Sequence, residues 1–130
     1  MSILSIKTDQ EEAFVGLQTE GKIVDSETWQ AGRELSMTLN EKLEKLLNKN
    51  NLEFKDLEGI VFYSGPGSFT GLRIGASVAN TLAYSLTIPI VGVTGEDWQD
   101  TGIKKLKNKE NDKIVKLNYG AEPNITKPRK

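Results

Sequence analysis

The chain contains no cysteine and no histidine, and both absences restrict its chemistry. Without cysteine it forms no disulfide bond, offers no thiolate nucleophile and holds no thiolate-bound metal. Without histidine, a Ser-His-Asp triad and the common zinc sites cannot be built within the chain. Any catalysis would depend on carboxylates, lysine, tyrosine or serine, and the sequence predicts neither a catalytic residue nor a metal site.

Long apolar runs are missing as well. No stretch approaches the length that spans a membrane, and MSILSIKTDQ lacks the basic start and the apolar core of a signal peptide. With 130 residues, 37% of them hydrophobic and 27% charged, the composition is that of one soluble globular domain. The sequence thus predicts a cytoplasmic protein without membrane contact.

Charge is distributed unevenly along the chain. Acidic side chains outnumber basic ones in residues 1–102, whereas basic side chains predominate in residues 103–130. We interpret the first range as a folded lobe and the second as a lysine-rich link and C-terminal tail. The stretch KKLKNKENDK lacks sustained apolar periodicity, which predicts a mobile basic segment that either contacts RNA or stays solvated. The candidates for RNA contact are Lys104, Lys105, Lys107 and Lys109.

Short apolar runs alternate with two helical patterns in the acidic part of the chain. The predicted order is β-β-β-α-β-α-β, with Glu20-Gly21 as the hairpin turn between the second and third strands. Leucines at helical spacing mark the first helix, and the second helix extends to about Leu86. This order predicts an α/β fold with a five-stranded mixed sheet and helical crossovers. The predicted strands are Ile3–Ile6, Ala13–Leu17, Lys22–Trp29, Gly59–Tyr63 and Ile88–Val93.

The stretch VFYSGPGSFTGLRIG, residues 61–75, leads from a strand into the second helix through closely spaced glycines. A P-loop is excluded, because Gly67 and Gly71 are too close together and no Lys-Ser/Thr pair follows them. The spacing also excludes a dinucleotide fingerprint. What remains is a turn that Ser68 or Thr70 caps. A generic anion site at Gly67, Ser68 and Thr70 stays an alternative, since a helix start exposes N–H groups.

The second helix carries small residues at successive i+4 positions, namely Gly71, Gly75, Ala79 and Ala83. Apolar side chains lie nearby, so two helix faces avoid charge, whereas covering one sheet requires only one apolar face. Because a glycine inside a helix costs about 1 kcal/mol, close packing explains the stripe better than chance. We interpret the stripe as an outward face for a partner helix, and packing on the chain's own sheet is the alternative.

Residues 59–93, GIVFYSGPGSFTGLRIGASVANTLAYSLTIPIVGV, closely resemble the signature of the bacterial TsaB (YeaZ) family. The strand-strand-strand-helix order before this segment is similar to the same family, and so is the tail LNYGAEPNITKPRK. The resemblance therefore covers residues 1 to about 95 and the last dozen or so. It implies a ribonuclease H-like lobe of the actin, Hsp70 and acetate kinase superfamily.

The resemblance also implies a function and its partners. TsaB proteins are noncatalytic partners of TsaD in making threonylcarbamoyladenosine, the modified adenosine beside the anticodon of many tRNAs, with the ATPase TsaE as a third component. No cofactor is implied for this chain, and pairing with a second copy of itself is a further option. Because the family pairs through the helices of this lobe, the predicted interface residues are Gly71, Arg73, Ile74, Gly75, Val78, Ala79, Leu82, Leu35, Leu39 and Leu43. Burial of those three leucines against their own sheet is the alternative.

Two departures from the family pattern bear on activity. Lys7 stands where the first strand of the superfamily ends in aspartate, and Asp9 follows two residues later. The family commonly has a second lobe after the fifth strand, so this chain resembles a reduced, single-lobe member. Both departures favour a scaffold. The alternatives are a small nucleotide-binding phosphotransferase that holds phosphate with Asp9, Ser68 and Thr70, and a tRNA-binding accessory protein that uses the basic tail.

Overall fold

A computed structural model of the chain describes residues 1–117. Its elements are β1 (Ser2–Lys7), β2 (Glu12–Thr19), β3 (Lys22–Gln30), α1 (Leu35–Lys49), β4 (Gly59–Tyr63), α2 (Phe69–Leu86), β5 (Ile90–Val93) and α3 (Trp98–Lys107). The strands form one sheet in the order β3-β2-β1-β4-β5. β2 is antiparallel to β1 and β3, whereas β4 is parallel to β1 and β5. The predicted α/β fold with a five-stranded mixed sheet is confirmed.

The β2–β3 hairpin turn lies where the sequence predicts it. Glu20 and Gly21 have φ angles of 56° and 79°, the two positive values that a type I′ turn requires. A register shift between Leu17 and Gln18 bends the ladder between these strands. The hairpin makes β3 one edge of the sheet.

The helices cover opposite faces of the sheet. A Cβ atom added at Gly75 of α2 would lie 2.9 Å from the ring of Phe62, and one added at Gly102 of α3 would meet Val61. Because neighbouring strand residues point to opposite faces, α2 and α3 lie on different sides of β4. α1 packs beside α2, so the molecule has three layers with the sheet in the middle.

α1 closes one side of the core and is tied to the edge strand by polar contacts. Trp29 Nε1 donates to Thr38 Oγ1 over 2.9 Å, and Lys42 Nζ donates to Glu27 over 2.8 Å. The pKa of Asp25 is lowered, chiefly by the Asn50 amide that donates to it and then by the Ser26 N–H. The core-facing residues of this helix are its leucines at helical spacing, Leu35, Leu39, Leu43, Leu46 and Leu47.

The start of the lysine-rich segment is not mobile chain but the second half of α3. Ile103 and Leu106 are buried, and a Cβ atom at Gly59 would lie 2.9 Å from Leu106. The prediction of a mobile segment failed because two apolar residues among lysines give a weak periodic signal. Their helical arrangement becomes evident only when they pack on the sheet. The boundary drawn between residues 102 and 103 therefore falls inside an element of the core.

The structure bears on two further predictions, the absence of membrane-spanning segments and the C-terminal tail motif. Within residues 1–117, none of the helices is long and apolar enough to cross a membrane. Nearly all of the predicted tail motif, residues 117–130, lies outside the described residues, so its similarity to the family tail stays a prediction.

Candidate partner-binding site

The turn before α2 and the start of that helix are hydrogen-bonded to the residues that follow β1. Ser68 N–H donates to the Asp9 carbonyl over 2.7 Å, and Thr8 Oγ1 donates to the Gly71 carbonyl over 2.8 Å. Ser68 also caps the helix, since its Oγ accepts from the Gly71 N–H over 3.4 Å. This confirms the predicted capping by Ser68. Two N–H groups that could face an anion thus have partners within the protein.

The glycines of the turn and of α2 are explained by close packing. A Cβ atom at Gly67 would overlap Asp9, and one at Gly71 would overlap the Thr8 carbonyl oxygen. At Gly75 it would overlap Thr8 Oγ1 and press on the ring of Phe62. The helix start therefore lies against the β1 end at a distance that only glycine permits. The anion site at Gly67, Ser68 and Thr70 stays a prediction that the structure does not test.

The small-residue stripe faces inward, which corrects the interpretation of it as an outward face. Gly75, Ala79 and Ala83 are buried, and Ala79 is 0% exposed. The stripe lets α2 approach β1 and β4 closely, which is the alternative that the sequence left open. Gly75 and Ala79 are therefore covered by the chain's own core and are not available to a partner in this fold.

The interface residues predicted on α1 are corrected for the same reason. Leu35, Leu39 and Leu43 are at most 3% exposed and belong to the hydrophobic core. A 15-residue helix on a sheet must bury one apolar face, and these leucines form that face. Their contacts are intramolecular, as the alternative held.

The other predicted interface residues of α2 remain accessible and line up on one side of the helix. Ile74, Val78 and Leu82 are half-buried at i, i+4 and i+8 and pack at the margin of the core. We call them the α2 ridge. Arg73 is exposed, with its guanidinium carbon 5.2 Å from the centre of the Phe69 ring, and Gly71 is half-buried at the start of the helix.

An open groove of about 400 Å³ runs beside the ridge on the α1 side. Carbon atoms form most of its exposed lining, although only Ile74 and Val78 are apolar residues. The residues that form it are Ser36, Thr70, Arg73, Ile74, Ser77 and Val78. Met37 of α1 is 77% exposed and Phe69 is 50% exposed. Met37 was not among the predicted interface residues, although its position between the buried Leu35 and Leu39 already placed it on the outer side of α1.

The carboxyl end of β1 carries an ion pair. Lys7 Nζ lies 2.7 Å from Asp9 Oδ1 and 4.5 Å from the centre of the Tyr63 ring. Trp98 packs edge-on against Tyr63 and Phe14, with ring centres 5.9 Å apart in both pairs. Trp98 was not predicted here, because only the fold brings α3 to this end of the sheet. Among residues 1–117, no group of three potential metal-ligating side chains comes together.

The lysines predicted to contact RNA lie at the end of α3 and just beyond it. Lys104, Lys107 and Lys109 are exposed, and Lys105 is half-buried. They lie on the face of the sheet opposite the α2 ridge. The structure therefore separates the two predicted contact regions, and RNA contact stays a prediction.

Comparison with known protein families identifies the relatives of this chain. The model of the family described as TsaD, tRNA N6-adenosine threonylcarbamoyltransferase, matches residues 27–98. The tRNA threonylcarbamoyladenosine biosynthesis protein TsaB of Bacillus subtilis is 36% identical over 94 residues, which cover 72% of this chain and 41% of that protein. TsaB of Buchnera aphidicola subsp. Schizaphis graminum is 29% identical over 124 residues, which cover 91% of this chain and 59% of that protein. The chain thus spans about two fifths to three fifths of these relatives.

Solved structures agree on the fold. YeaZ from Pseudomonas aeruginosa superposes with a TM-score of 0.67 at 30% identity, covering 72% of this chain and 43% of that chain. Thermus thermophilus RuvC in complex with a Holliday junction substrate superposes with a TM-score of 0.52 at 9% identity, a likeness of fold alone. The five-stranded mixed sheet and its helices form the predicted ribonuclease H-like lobe. Sequence and structure together assign the chain to the TsaB (YeaZ) family.

Proposed function

We propose that this chain is a noncatalytic subunit that binds a TsaD-like protein in making threonylcarbamoyladenosine in tRNA. Its relatives are named tRNA threonylcarbamoyladenosine biosynthesis proteins, which supports the pathway. The observation that carries the partner role is the α2 ridge with its apolar groove, accessible beside α1. The proposal extends to a TsaE-like ATPase as a third component, to self-pairing and to a cytoplasmic location.

The α2 ridge has the physical character of a protein interface. Ile74, Val78 and Leu82 expose part of their apolar surface on a helix whose other side is already in the core. Arg73, which lines the groove beside the ridge, adds a cation at the rim. Covering such a surface contributes roughly 25 cal/mol for each Å² of apolar area removed from water. An apolar centre with a polar rim is the usual anatomy of a binding patch.

The Lys7–Asp9 ion pair supports a noncatalytic role. The Asp9 side chain is 9% exposed and its Oδ1 accepts from Lys7, so the carboxylate is already engaged by a cation of its own chain. Recruiting it to a magnesium ion would break this pair and leave the lysine, a second cation, beside the metal. The Tyr63 ring holds the same ammonium from another side.

Val78→Arg is expected to abolish binding of the TsaD-like protein while leaving the fold intact. Val78 is half-buried on the α2 ridge, so an arginine there reaches solvent in the free protein. In a complex it would place an unpaired charge in the apolar centre of the interface. Affinity should fall by about 100-fold or more, which corresponds to roughly 3 kcal/mol. Isothermal titration with the TsaD-like protein of the same organism measures the loss.

Thr28→Arg is the matched control. Thr28 is exposed on β3. It alternates with Glu27 and Trp29, which contact α1, so it points to the opposite face of the sheet. The control should bind normally. Normal binding by a folded Val78→Arg variant would refute the proposed partner surface.

We also propose that the lysines of α3 attract tRNA to the assembled complex. Lys104→Ala/Lys107→Ala is expected to weaken tRNA binding and to flatten its salt dependence, by roughly 0.7–0.9 in log–log slope for each phosphate that is no longer neutralised. Unrelated RNA should be affected alike, because phosphate contacts carry no sequence information. Binding is measured by filter retention across a salt series.

The control for this pair is Lys45→Ala/Lys55→Ala, which removes two exposed lysines, one on α1 and one beside the end of that helix. It changes the net charge equally, so it reports the effect of charge without position. If both pairs change the slope by the same amount, α3 makes no specific contribution to tRNA binding.

A further inference from the structure

The outer edge of β5 is covered by a short irregular segment, residues 111–115, which we call the strap. The carbonyl of Pro89, just before β5, accepts from the Ile60 N–H over 3.0 Å, and the carbonyl of Val93, at the end of β5, accepts from the Ser64 N–H over 2.8 Å. The alternate residues therefore turn their backbone groups away from β4, toward the edge. Those outward groups belong to Ile90 and Gly92, and an unpaired row of them would offer a template for another strand.

Three of these backbone groups have hydrogen-bond partners in the strap, and two of those partners are side chains. Asn111 Oδ1 accepts from the Ile90 N–H over 3.1 Å, and Asp112 Oδ2 accepts from the Gly92 N–H over 2.7 Å. In addition, the Asp112 N–H donates a backbone hydrogen bond to the Ile90 carbonyl over 2.8 Å. The strap thus occupies the hydrogen-bonding positions of a sixth strand without forming one.

The far end of the strap is anchored to the core. Val115 is 4% exposed and packs on Gly92, where an added Cβ atom would lie 3.3 Å from its side chain. Val115 N–H donates to Asn80 Oδ1 of α2 over 2.9 Å, and the Asn80 amide donates back over 3.5 Å. Between the two ends, Lys113 has a φ of 66°, which a strand cannot accommodate. The strap therefore ends the sheet and offers no regular edge of its own.

We propose that the strap protects the β5 edge, and that without the side chains of Asn111 and Asp112 a second copy of this chain pairs with that edge. Antiparallel pairing across a two-fold axis would present the Ile90 and Gly92 N–H groups of each copy to the other. The proposal is independent of the α2 ridge, which lies on a different part of the molecule.

The test is the double variant Asn111→Ala/Asp112→Ala, followed by hydrogen exchange and sedimentation velocity. At low protein concentration, the Ile90 and Gly92 amides should exchange about tenfold faster or more, since both lose their acceptors. At high concentration the same two amides should regain protection while the sedimentation coefficient rises. The concentration-dependent protection assigns the association to this edge.

Two further variants make the result specific. Asn108→Ala/Glu110→Ala removes an amide and a carboxylate from exposed positions just before the strap and should behave as wild type. Asp112→Asn keeps an acceptor oxygen and should retain protection at Gly92. The proposal is overturned if the double variant exchanges as wild type does. It is also overturned if the two amides are exposed at every concentration and the variant gains no self-association.

Discussion

Ala79→Arg is expected to abolish the cooperative unfolding transition of this protein. Ala79 is 0% exposed on the side of α2 that packs on the sheet, so an arginine there meets the core and not solvent. The helix must then withdraw from the sheet or bury an unpaired charge, and either outcome costs about 4 kcal/mol or more. That loss is comparable to the whole stability of a small domain. Thermal and urea melts followed by circular dichroism measure it.

Thr81→Arg is the control for this experiment, because Thr81 is an exposed position two residues further along the same helix. It should melt like the wild type and separate the effect of burial from that of helix propensity. If Ala79→Arg melts cooperatively near the wild-type temperature, the stripe does not pack on the sheet. In that case the outward orientation predicted from the sequence would be restored.

Gly75→Ala is expected to destabilise the protein by about 2 kcal/mol or more, although alanine is the better helix former. The added methyl would overlap Thr8 Oγ1 and lie 2.9 Å from the Phe62 ring, and both neighbours are in the core. Thr8→Ala removes the obstructing hydroxyl at the cost of its bond to the Gly71 carbonyl. The double variant Thr8→Ala/Gly75→Ala should therefore be more stable than the sum of the two single effects predicts.

Gly71→Ala provides a matched comparison within the same helix. Its methyl would overlap the Thr8 carbonyl oxygen, which belongs to the backbone and stays when the side chain is removed. Combining it with Thr8→Ala should therefore give no rescue. Free energies from urea titrations complete both cycles. Equal coupling in the two cycles would contradict the assignment of each glycine to a different atom of Thr8.

The sequence predicts much of the fold because the local signals agree with the tertiary structure. Strand-like runs, the Glu20-Gly21 turn and the leucines of α1 all lie where their patterns place them. α3 was missed because two of its four buried residues, Ile103 and Leu106, lie among lysines. A short apolar stretch among charged residues has the sequence pattern of a solvated segment. Only its packing against the sheet shows that it is a helix.

The candidate site was only partly predictable. The sequence identifies α2 as the helix with two faces that avoid charge, and the ridge residues Ile74, Val78 and Leu82 were among the predicted interface residues. It does not show which of the two faces is inside. Small side chains suit close packing on a partner helix and on the chain's own β1 end equally well, so the orientation depends on contacts far apart in sequence.

By itself, then, the sequence determined the order of the elements as far as β5, the family and the exclusion of cysteine and histidine chemistry, because each follows from residue identity or local periodicity. Only the tertiary structure decided that Gly75 and Ala79 lie inside, that Lys7 pairs with Asp9 beside Tyr63, and that the strap closes the β5 edge. These features depend on which distant backbones approach each other. No local pattern encodes that distance, since it results from the packing of the whole sheet and its helices.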